Sequence, residues 1–199
     1  MERAGMRTPI AGVDEAGRGP IAGPVVAAAA ILTPPQFRVL LSEGLDDSKK
    51  LSETARERLF CRMAELGIVW KAQAASHVRI DSMNILNATL WAMSRAVMSL
   101  PQKPGLIVVD GNRLIPDIPP EMQITLPKAD SKVPAVMAAS VVAKVLRDRV
   151  MKRLDRLYPE WGFSGHKGYP TKAHRLATDL FGPSPVHRLS FGGYKKWRK

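Results

Sequence analysis

The sequence of 199 residues has a single cysteine and no apolar run long enough to cross a membrane. Cys61 alone cannot form a disulfide within the chain or build a cysteine-rich zinc site. The longest apolar stretch, residues 25–32, is far shorter than the roughly 20 residues that span a bilayer. No apolar segment of the signal-peptide type follows Met1. We therefore expect a cytoplasmic globular protein that does not bind membranes, with Cys61 filling the core on a helix.

Acidic residues are scarce only near the C-terminus. Residues 144–199 contain 14 Lys or Arg against four Asp or Glu, whereas residues 1–143 contain 16 against 14. A positive surface beside a nearly neutral body is typical of proteins that bind a polyanion. A solvated basic tail would also explain the charge, but interleaved aromatic residues favour folded structure. These aromatics are Tyr158, Trp161, Phe163, Tyr169, Phe181, Phe191, Tyr194 and Trp197.

Apolar periodicity and proline or glycine breakers divide the chain into strands and helices. Two strands flank a glycine-rich turn near the N-terminus, and helices alternate with strands after them. This order predicts an α/β protein with a mixed five-stranded sheet flanked by helices. The predicted strands are 9–14, 24–32, 68–74, 106–110 and 123–126, and the predicted helices are 53–66, 81–100, 134–157 and 172–181.

Four acids stand out by their positions. Asp14 and Glu15 end the first predicted strand, Asp110 ends the fourth, and Asp130 lies in a short polar segment. If those two strands are parallel neighbours, Asp14 and Asp110 lie side by side at one edge of the sheet. Glu15 then needs a bend after Asp14, because successive strand residues point to opposite faces. Any one acid alone is better explained as a turn residue or a helix cap, but their joint placement favours a site.

Clustered carboxylates without histidine or cysteine partners indicate a hard divalent cation. Oxygen ligands suit Mg²⁺ or Mn²⁺ better than zinc. Without a cation, such acids would repel one another and become partly protonated. Two ions bound together can activate a water molecule and stabilise the leaving oxygen of a phosphodiester. The sequence therefore predicts a Mg²⁺ or Mn²⁺ centre, with two ions when substrate is bound.

The ordered motifs of the chain closely resemble those of the ribonuclease HII family, the type 2 ribonucleases H. The resemblance extends from about Gly12 to Phe191, and its specificity comes from the order of the blocks. The blocks are Asp-Glu-Ala-Gly-Arg-Gly-Pro at 14–20, Asp-Ser-Lys-Lys-Leu at 47–51, Val-Asp-Gly at 109–111, Lys-Ala-Asp-Ser at 128–131, Ala-Ala-Ser-Val-Val-Ala-Lys-Val at 138–145, His-Lys-Gly-Tyr-Pro-Thr at 166–171 and Gly-Pro-Ser-Pro-Val-His-Arg at 182–188.

This resemblance implies a ribonuclease H-like fold and a metal-dependent endoribonuclease. The implied substrates are RNA/DNA hybrids and DNA duplexes containing ribonucleotides. The expected cut lies 5′ to the ribonucleotide and leaves a 3′-hydroxyl and a 5′-phosphate. We expect a catalytic domain over residues 1–157 and a basic helical extension over residues 158–199 that contributes to substrate binding.

The resemblance also implies roles for particular residues. Asp14, Glu15, Asp110 and Asp130 would be the catalytic, metal-binding acids. Gly17, Arg18 and Gly19 would recognise the 2′-hydroxyl and the adjoining phosphate, since glycines let the backbone approach closely. Tyr169 would stack on the sugar of the following deoxynucleotide. Read without the resemblance, the glycine loop is a tight turn and Tyr169 an ordinary half-buried aromatic.

Further polar residues are candidates for contact with the substrate backbone, although solvated loops and helix faces explain them almost as well. Such contacts position a duplex without reading its sequence. The candidates for backbone contact are Ser48, Lys49, Lys50, Asn84, Asn87, Lys144, Arg147, Lys167, Lys172 and Arg188.

Three further expectations concern other residues and the assembly. We expect Asp148 to form an ion pair within its helix and the histidines to make loop or helix-surface hydrogen bonds. We also expect the protein to be a monomer without a recognisable sliding-clamp peptide.

Two other functions remain open at this point. A non-catalytic RNA-binding protein would use the basic C-terminal surface but leaves the ordered acids unexplained. Another ribonuclease H-like nuclease acting on DNA would use the same acids. Incubation with Mg²⁺ and a duplex carrying one ribonucleotide tests the first alternative, because a pure binding protein would bind this duplex without cutting it. An all-DNA duplex tests the second, because a deoxyribonuclease would cut it as efficiently as the duplex with the ribonucleotide.

Overall fold

The structure, a computed structural model, describes residues 8–46 and 48–191. Asp47, Tyr194, Trp197 and the C-terminal residues searched for a clamp peptide lie outside the described residues. The five strands are β1 (Ile10–Ala16), β2 (Val25–Ile31), β3 (Val69–Ala75), β4 (Leu106–Asp110) and β5 (Gln123–Leu126). The helices are α1 (Pro34–Ser42), α2 (Glu53–Glu65), α3 (His77–Met98), α4 (Pro134–Leu157), α5 (Phe163–His166) and α6 (Lys172–Phe181), with single 3₁₀ turns at Pro120–Met122, Ala129–Ser131 and Pro159–Trp161.

The strands form one mixed sheet in the order β3-β2-β1-β4-β5. The pairs β1–β2 and β2–β3 are antiparallel, whereas β1–β4 and β4–β5 are parallel. The predicted five-stranded mixed sheet and the hairpin-like start of the chain are confirmed. The parallel pairing of β1 with β4 brings the carboxyl ends of these two strands to the same edge of the sheet.

Helices cover both faces of the sheet, and small residues let one of them approach very closely. α3 packs on the face that carries Val13 and Val109, and α4 packs on the face that carries Ala28 and Ala30. A side chain at Gly12 would lie 2.1 Å from backbone atoms at the start of α4, so only glycine fits there. This contact fixes α4 against β1 at Gly12, two residues before Asp14.

The part of the chain after α4 packs against the loop between β1 and β2. Ala22 of that loop is buried with Met151, Phe163 and Val186. Two backbone hydrogen bonds add to this contact, from Ile21 N to Gly168 O and from Arg188 N to Ile21 O. The C-terminal segment therefore holds the glycine-rich loop in place.

Several details differ from the sequence prediction, among them the earlier start of α3 and the unpredicted short helix α5. The helix α1, which begins at the Thr33 capping box, was not predicted. α3 is interrupted at Asn84, which has φ 65° and ψ 166°. Cys61 is exposed, so the prediction of a core cysteine is wrong; Leu59 and Met63 occupy the buried side of α2 instead. Among the described residues, no helix combines the length and apolar character needed to cross a bilayer.

Candidate metal centre and nucleic-acid interface

Three carboxylates meet at the edge of the sheet. Asp14, Asp110 and Asp130 each place one oxygen within 4.8 Å of the oxygens of the other two. The parallel register pairs Val13 with Val109, so Asp14 and Asp110 follow at the ends of neighbouring strands. The predicted side-by-side placement of Asp14 and Asp110 is confirmed.

A backbone contact brings the third acid to the pair. The amide of Ala129 donates a hydrogen bond to Asp110 Oδ1 at 2.8 Å. Lys128 adopts the left-handed conformation with φ 59° and starts the 3₁₀ turn that carries Asp130. The Asp130 side chain is buried, and Lys49 Nζ donates to its Oδ2 at 2.7 Å. Lys49 thus contacts the acidic centre itself.

Glu15 lies beside this cluster but is not one of its three members. The predicted bend after Asp14 is wrong, because β1 continues in regular register through Glu15 and Ala16. Asp14 is therefore on the α4 side of the sheet, and Glu15 points to the α3 side. Its carboxylate lies 3.5 Å from an Arg18 guanidinium nitrogen and interacts electrostatically with Asp110.

Burial and mutual repulsion raise the pKa values of Asp14, Glu15 and Asp110. The pKa of Asp14 lies well above its ordinary value because of burial first and the neighbouring Glu15 second. Burial also raises the pKa of Glu15, against the opposing effect of Arg18. The pKa of Asp110 is raised chiefly by burial, while the hydrogen bond from Ala129 opposes the shift. The centre therefore holds negative charge at an energetic disadvantage, as expected for a cation site.

A serine that the sequence analysis did not assign supports Asp14. Ser140 on α4 donates a hydrogen bond to the Asp14 carboxylate and lowers its pKa. Ser140 Oγ also lies 2.7 Å from Ser48 Oγ. Because the carboxylate only accepts, Ser48 is the donor in this second bond. The only sign of this role in the sequence was that Ser140 is a polar residue on an otherwise apolar face of the predicted helix.

The glycine loop and Tyr169 share a cavity of about 240 Å³ with the acids. Gly17 has φ 101°, and a side chain there would overlap Arg147. A Cβ at Gly19 would lie 3.4 Å from the Tyr169 ring, and Tyr169 is 45% exposed. The acids Asp14, Glu15 and Asp110 line the same cavity, with Gly17, Arg18, Gly19, Ser48, Lys49, Ser140, Lys144, Arg147 and Tyr169.

Two arginines among the predicted phosphate contacts are buried supports of the glycine loop. Arg188 is fully buried, and its guanidinium donates to the carbonyls of Gly17, Arg18, Pro20 and Gly23 at 2.6–3.0 Å. Arg147 is also buried and donates to the carbonyl of Pro24 at 3.1 Å. The burial of Arg188 argues against the predicted phosphate contact for this residue, whereas Arg147 lines the cavity with the acids and its predicted phosphate contact stays a prediction.

The other candidates for backbone contact lie at varied distances from the centre. Lys144 reaches the cavity while pairing with Asp148 at 2.7 Å, which confirms the predicted ion pair within α4. Lys50 pairs with Asp46, and Lys167 pairs with Glu53 at 3.4 Å. Lys172 is exposed at the first position of α6. Asn84 and Asn87 are exposed, and Asn84 Oδ1 accepts from the Asn87 amide, so Asn84 caps the second part of α3.

Two of the histidines differ from the expected surface placement. His174 and His187 are buried, and their Nε2 atoms lie 3.1 Å apart. The hydrogen-bonding role predicted for them is confirmed, but it is made in the protein interior.

The donor set fits Mg²⁺ or Mn²⁺. Three converging carboxylates supply the oxygen ligands that these ions prefer. The raised pKa values of Asp14 and Asp110 show that nearby protein groups do not fully compensate the negative charge of these two carboxylates. Asp14, Asp110 and Asp130 would hold the ion, and Glu15 is close enough to interact with the same centre.

Comparison with known proteins identifies the family. The family model of ribonuclease HII matches residues 11–193. Ribonuclease HII of Marinomonas sp. (strain MWYL1) is 49% identical over 187 residues, covering 94% of this chain and 92% of that protein. Ribonuclease HII of Syntrophotalea carbinolica is 47% identical, covering 99% of this chain and 91% of that protein.

A solved structure is similar over nearly the whole chain. The crystal structure of ribonuclease H2 from Pyrococcus horikoshii OT3 matches with a TM-score of 0.76 and 31% sequence identity. The match covers 94% of this chain and 95% of that one. With the acidic centre and the neighbouring glycine loop, these similarities show that the chain belongs to the ribonuclease HII family, the type 2 ribonucleases H, which are metal-dependent hydrolases of nucleic acid.

Proposed function

We propose that this type 2 ribonuclease H cleaves the RNA strand of RNA/DNA hybrids and cuts DNA duplexes on the 5′ side of single ribonucleotides. The observation that carries the proposal is the shared cavity, in which Asp14, Glu15 and Asp110, the Gly17–Gly19 loop and Tyr169 face one space. A reactive phosphate at the acids would place the neighbouring sugar beside the glycine loop and the tyrosine ring. The products are a 3′-hydroxyl and a 5′-phosphate.

Asp14, Asp110 and Asp130 are the proposed ligands of Mg²⁺ or Mn²⁺, with Glu15 as a fourth acid on the other side of the strand. When bound, two such ions activate water and stabilise the leaving oxygen of a phosphodiester. Ser140 fixes the orientation of the Asp14 carboxylate. Lys49 holds Asp130 and balances part of the negative charge of the centre.

The glycine loop is proposed to recognise the ribose. A 2′-hydroxyl both donates and accepts a hydrogen bond, so it matches backbone groups that side chains do not shield. Arg188 donates hydrogen bonds to the carbonyls of Gly17 and Arg18 from inside the protein. The opposite side of the loop is proposed to contact the substrate. The Arg18 side chain is half exposed and available to the adjoining phosphate.

Tyr169 is proposed to stack on the sugar that follows the ribonucleotide. An aromatic ring there favours a deoxyribose over a ribose with its additional hydroxyl, which gives preference for an RNA–DNA junction. Lys49, Lys50, Lys144, Lys167 and Lys172, together with Ser48 and Asn84, remain proposed contacts to the backbones of the substrate. We further propose that the enzyme works as a monomer in the cytoplasm.

Cleavage-site mapping tests this function. The substrate is a DNA duplex with one embedded ribonucleotide, incubated with Mg²⁺, with Mn²⁺ and with a chelator. We expect one metal-dependent cut 5′ to the ribonucleotide. A 2′,3′-cyclic phosphate product would show that the 2′-hydroxyl is the nucleophile and would contradict the proposal. Equal cleavage of an all-DNA duplex would identify a deoxyribonuclease instead.

A further inference from the structure

A cluster of three histidines lies against the backbone of Tyr169. The edge or face of Phe163 contacts all three rings, with centroid distances of 5.5–6.0 Å to His166, His174 and His187. His166 stacks on His174 at 4.1 Å between centroids. The proposed reaction gives none of these histidines a role.

The hydrogen-bond partners of the buried pair fix the proton on each ring. His174 Nδ1 lies 2.9 Å from the carbonyl oxygen of Tyr169, which only accepts, so Nδ1 carries a proton. The Ser184 amide donates to His187 Nδ1 at 2.9 Å, so this nitrogen is unprotonated. In the neutral pair, His187 Nε2 therefore donates to His174 Nε2 across 3.1 Å.

These bonds form a directed series from the backbone of Ser184 through two neutral rings to the backbone of Tyr169. Burial lowers the pKa of His174 to about 4 and the pKa of His187 to about 3, which keeps both rings neutral at physiological pH. Thr178 Oγ1 lies 3.3 Å from His187 Nε2 and donates to the His174 carbonyl. The two rings, His174 on α6 and His187 in the segment that follows it, are therefore held in one relative orientation.

The series ends on a short segment whose backbone is strongly constrained. Lys167 and Gly168 both have positive φ values, and a side chain at Gly168 would meet the Ala22 carbonyl at 2.5 Å. The Tyr169 amide donates to the His166 carbonyl, and the Tyr169 carbonyl accepts from both Thr171 N and His174 Nδ1. His174 is thus the side-chain donor that sets the direction of the Tyr169 peptide.

We propose that His187 and His174 act as positioning residues that orient Tyr169 and thereby set the preference for an RNA–DNA junction over a continuous RNA strand. The first half concerns only the position of Tyr169. The second half rests on the proposed role of that tyrosine in sensing the sugar. The two halves have separate measurements.

The first measurement is ¹⁹F NMR of the full-length protein labelled with 3-fluorotyrosine. The chain has three tyrosines, and Tyr169→Phe identifies the Tyr169 resonance by its loss. His174→Asn keeps a donor at the Nδ1 position, whereas His174→Gln does not. We expect the Tyr169 resonance to stay near its original shift in His174→Asn and to move or broaden in His174→Gln, with the other two resonances unchanged.

A second pair of variants tests the role of His187. His187→Gln retains a donor near the Nε2 position, and His187→Asn loses it. We expect the Tyr169 resonance to move only in His187→Asn. Equal spectra within both pairs would overturn the positioning role. If one pair fails to fold, the other decides the outcome.

Cleavage measurements test the consequence for specificity. The quantity is the ratio of kcat/KM on a duplex with one ribonucleotide to kcat/KM on a continuous RNA/DNA hybrid. We expect His174→Gln to lower this ratio about fivefold, the effect of one lost hydrogen bond, mainly through kcat. In the Tyr169→Ala background the same substitution should have no further effect on the ratio.

The possible outcomes separate the two ideas. An equal loss of cleavage on both substrates would indicate a merely structural role and overturn the inference on specificity. If the Tyr169 resonance responds as expected but Tyr169→Ala retains the original ratio, the proposed role of the tyrosine fails while its positioning by the histidines stands. If Tyr169→Ala loses the ratio and the histidine variants keep it, the positioning inference fails alone.

Discussion

Asp14 and Arg188 are both charged and buried, but their surroundings differ. Asp14 lies beside Glu15 and Asp110, and its pKa is raised by burial first and then by both of these neighbours, Glu15 more than Asp110. Arg188 donates hydrogen bonds to four backbone carbonyls, and although burial lowers its pKa to about 9, it stays protonated at neutral pH. The negative charge of the acidic centre is not fully compensated by protein groups, whereas the positive charge of Arg188 is compensated by the four carbonyls that accept its hydrogen bonds.

This difference separates the site that binds from the structure that supports it. A group of like charges held close together is stabilised by a ligand of opposite charge. A guanidinium surrounded by carbonyls gains little from a ligand, but its removal leaves several carbonyls without a donor. Substitutions in the two regions should therefore have opposite effects on the metal-free protein.

The largest effect is expected for Asp14→Asn. Loss of a metal ligand removes several kcal/mol of transition-state stabilisation, a decrease in cleavage on the order of 10³-fold. The raised pKa of Asp14 means that the folded state binds its proton more tightly than the unfolded state does. At neutral pH the ionised carboxylate therefore lowers stability, and its neutralisation should raise the free energy of unfolding of the metal-free protein by about 1 kcal/mol.

Cleavage assays and urea unfolding with a chelator measure the two effects. Asp110→Asn should behave in the same way, and substrate binding in gel-shift assays should be largely kept in both. Asp179→Asn, which changes an exposed acid on α6, is the matched control. Retention of the original rate, or a lower stability without metal, would contradict the comparison.

Arg188→Met is expected to have the opposite effect on stability. The substitution leaves carbonyls of the glycine loop without their donor and should lower the free energy of unfolding by about 3 kcal/mol. Arg188→Lys keeps the charge but not the forked geometry, so we expect an intermediate loss. Urea unfolding measures both, with Arg156→Met on the exposed side of α4 as control. A change within about 0.5 kcal/mol, as for a surface residue, would contradict the supporting role.

The acids could be predicted from the sequence, and the arginines could not. Asp14 and Asp110 each follow an apolar run, and parallel strands bring such ends together, so local pattern was sufficient. Arg188 lies in a basic segment and looks like a surface residue. Its burial depends on the carbonyls of Gly17 and Gly23, which are distant in sequence and become visible only in the folded chain.

Other differences have local physical causes. The bend predicted after Asp14 assumed that Glu15 must join the other acids, but the β1–β2 pairing holds both residues in the regular alternation. The helix α1 carried a readable signal, since Thr33 and Gln36 form a capping box around Pro34. The support of Asp14 by Ser140 arises from the packing of α4 against β1, which apolar periodicity does not report.

The buried histidines sharpen the comparison through their pH dependence. Their lowered pKa values mean that the unfolded state binds more protons than the folded state between about pH 4 and pH 6.5. Stability should therefore fall as the pH drops through this window. Replacement of the pair by His174→Asn with His187→Gln removes this dependence.

We expect the free energy of unfolding to fall by about 4 kcal/mol more in the original protein than in the double variant between pH 7 and pH 5, about 2 kcal/mol for each histidine. Urea unfolding at fixed ionic strength measures both curves. The acids with raised pKa values change stability in the opposite direction, but they are common to both proteins and cancel in the difference. Parallel curves would show that the histidines are not kept neutral by burial.

The smallest effect is expected for Ser140→Ala, which tests how finely the acidic centre depends on its surroundings. Ser140 donates to the Asp14 carboxylate and lowers its pKa. Loss of this bond, about 1 kcal/mol, should raise the pKa of Asp14 further and move the acidic limb of the pH–rate profile to higher pH by less than about one unit. Ser48→Ala, one bond further away, should shift the limb less in the same direction.

Cleavage rates from pH 5 to pH 8 measure the shift at saturating metal. Ser99→Ala, at the exposed end of α3, is the control because its hydroxyl bonds only within its own helix end. An unchanged limb in Ser140→Ala would show that the serine does not tune Asp14. An equal shift in Ser99→Ala would attribute the effect to general stability. A larger shift of the limb in Ser140→Ala than in Ser48→Ala would show that a short series of neutral hydroxyl donors, Ser48 to Ser140 to Asp14, tunes the pKa of the Asp14 carboxylate.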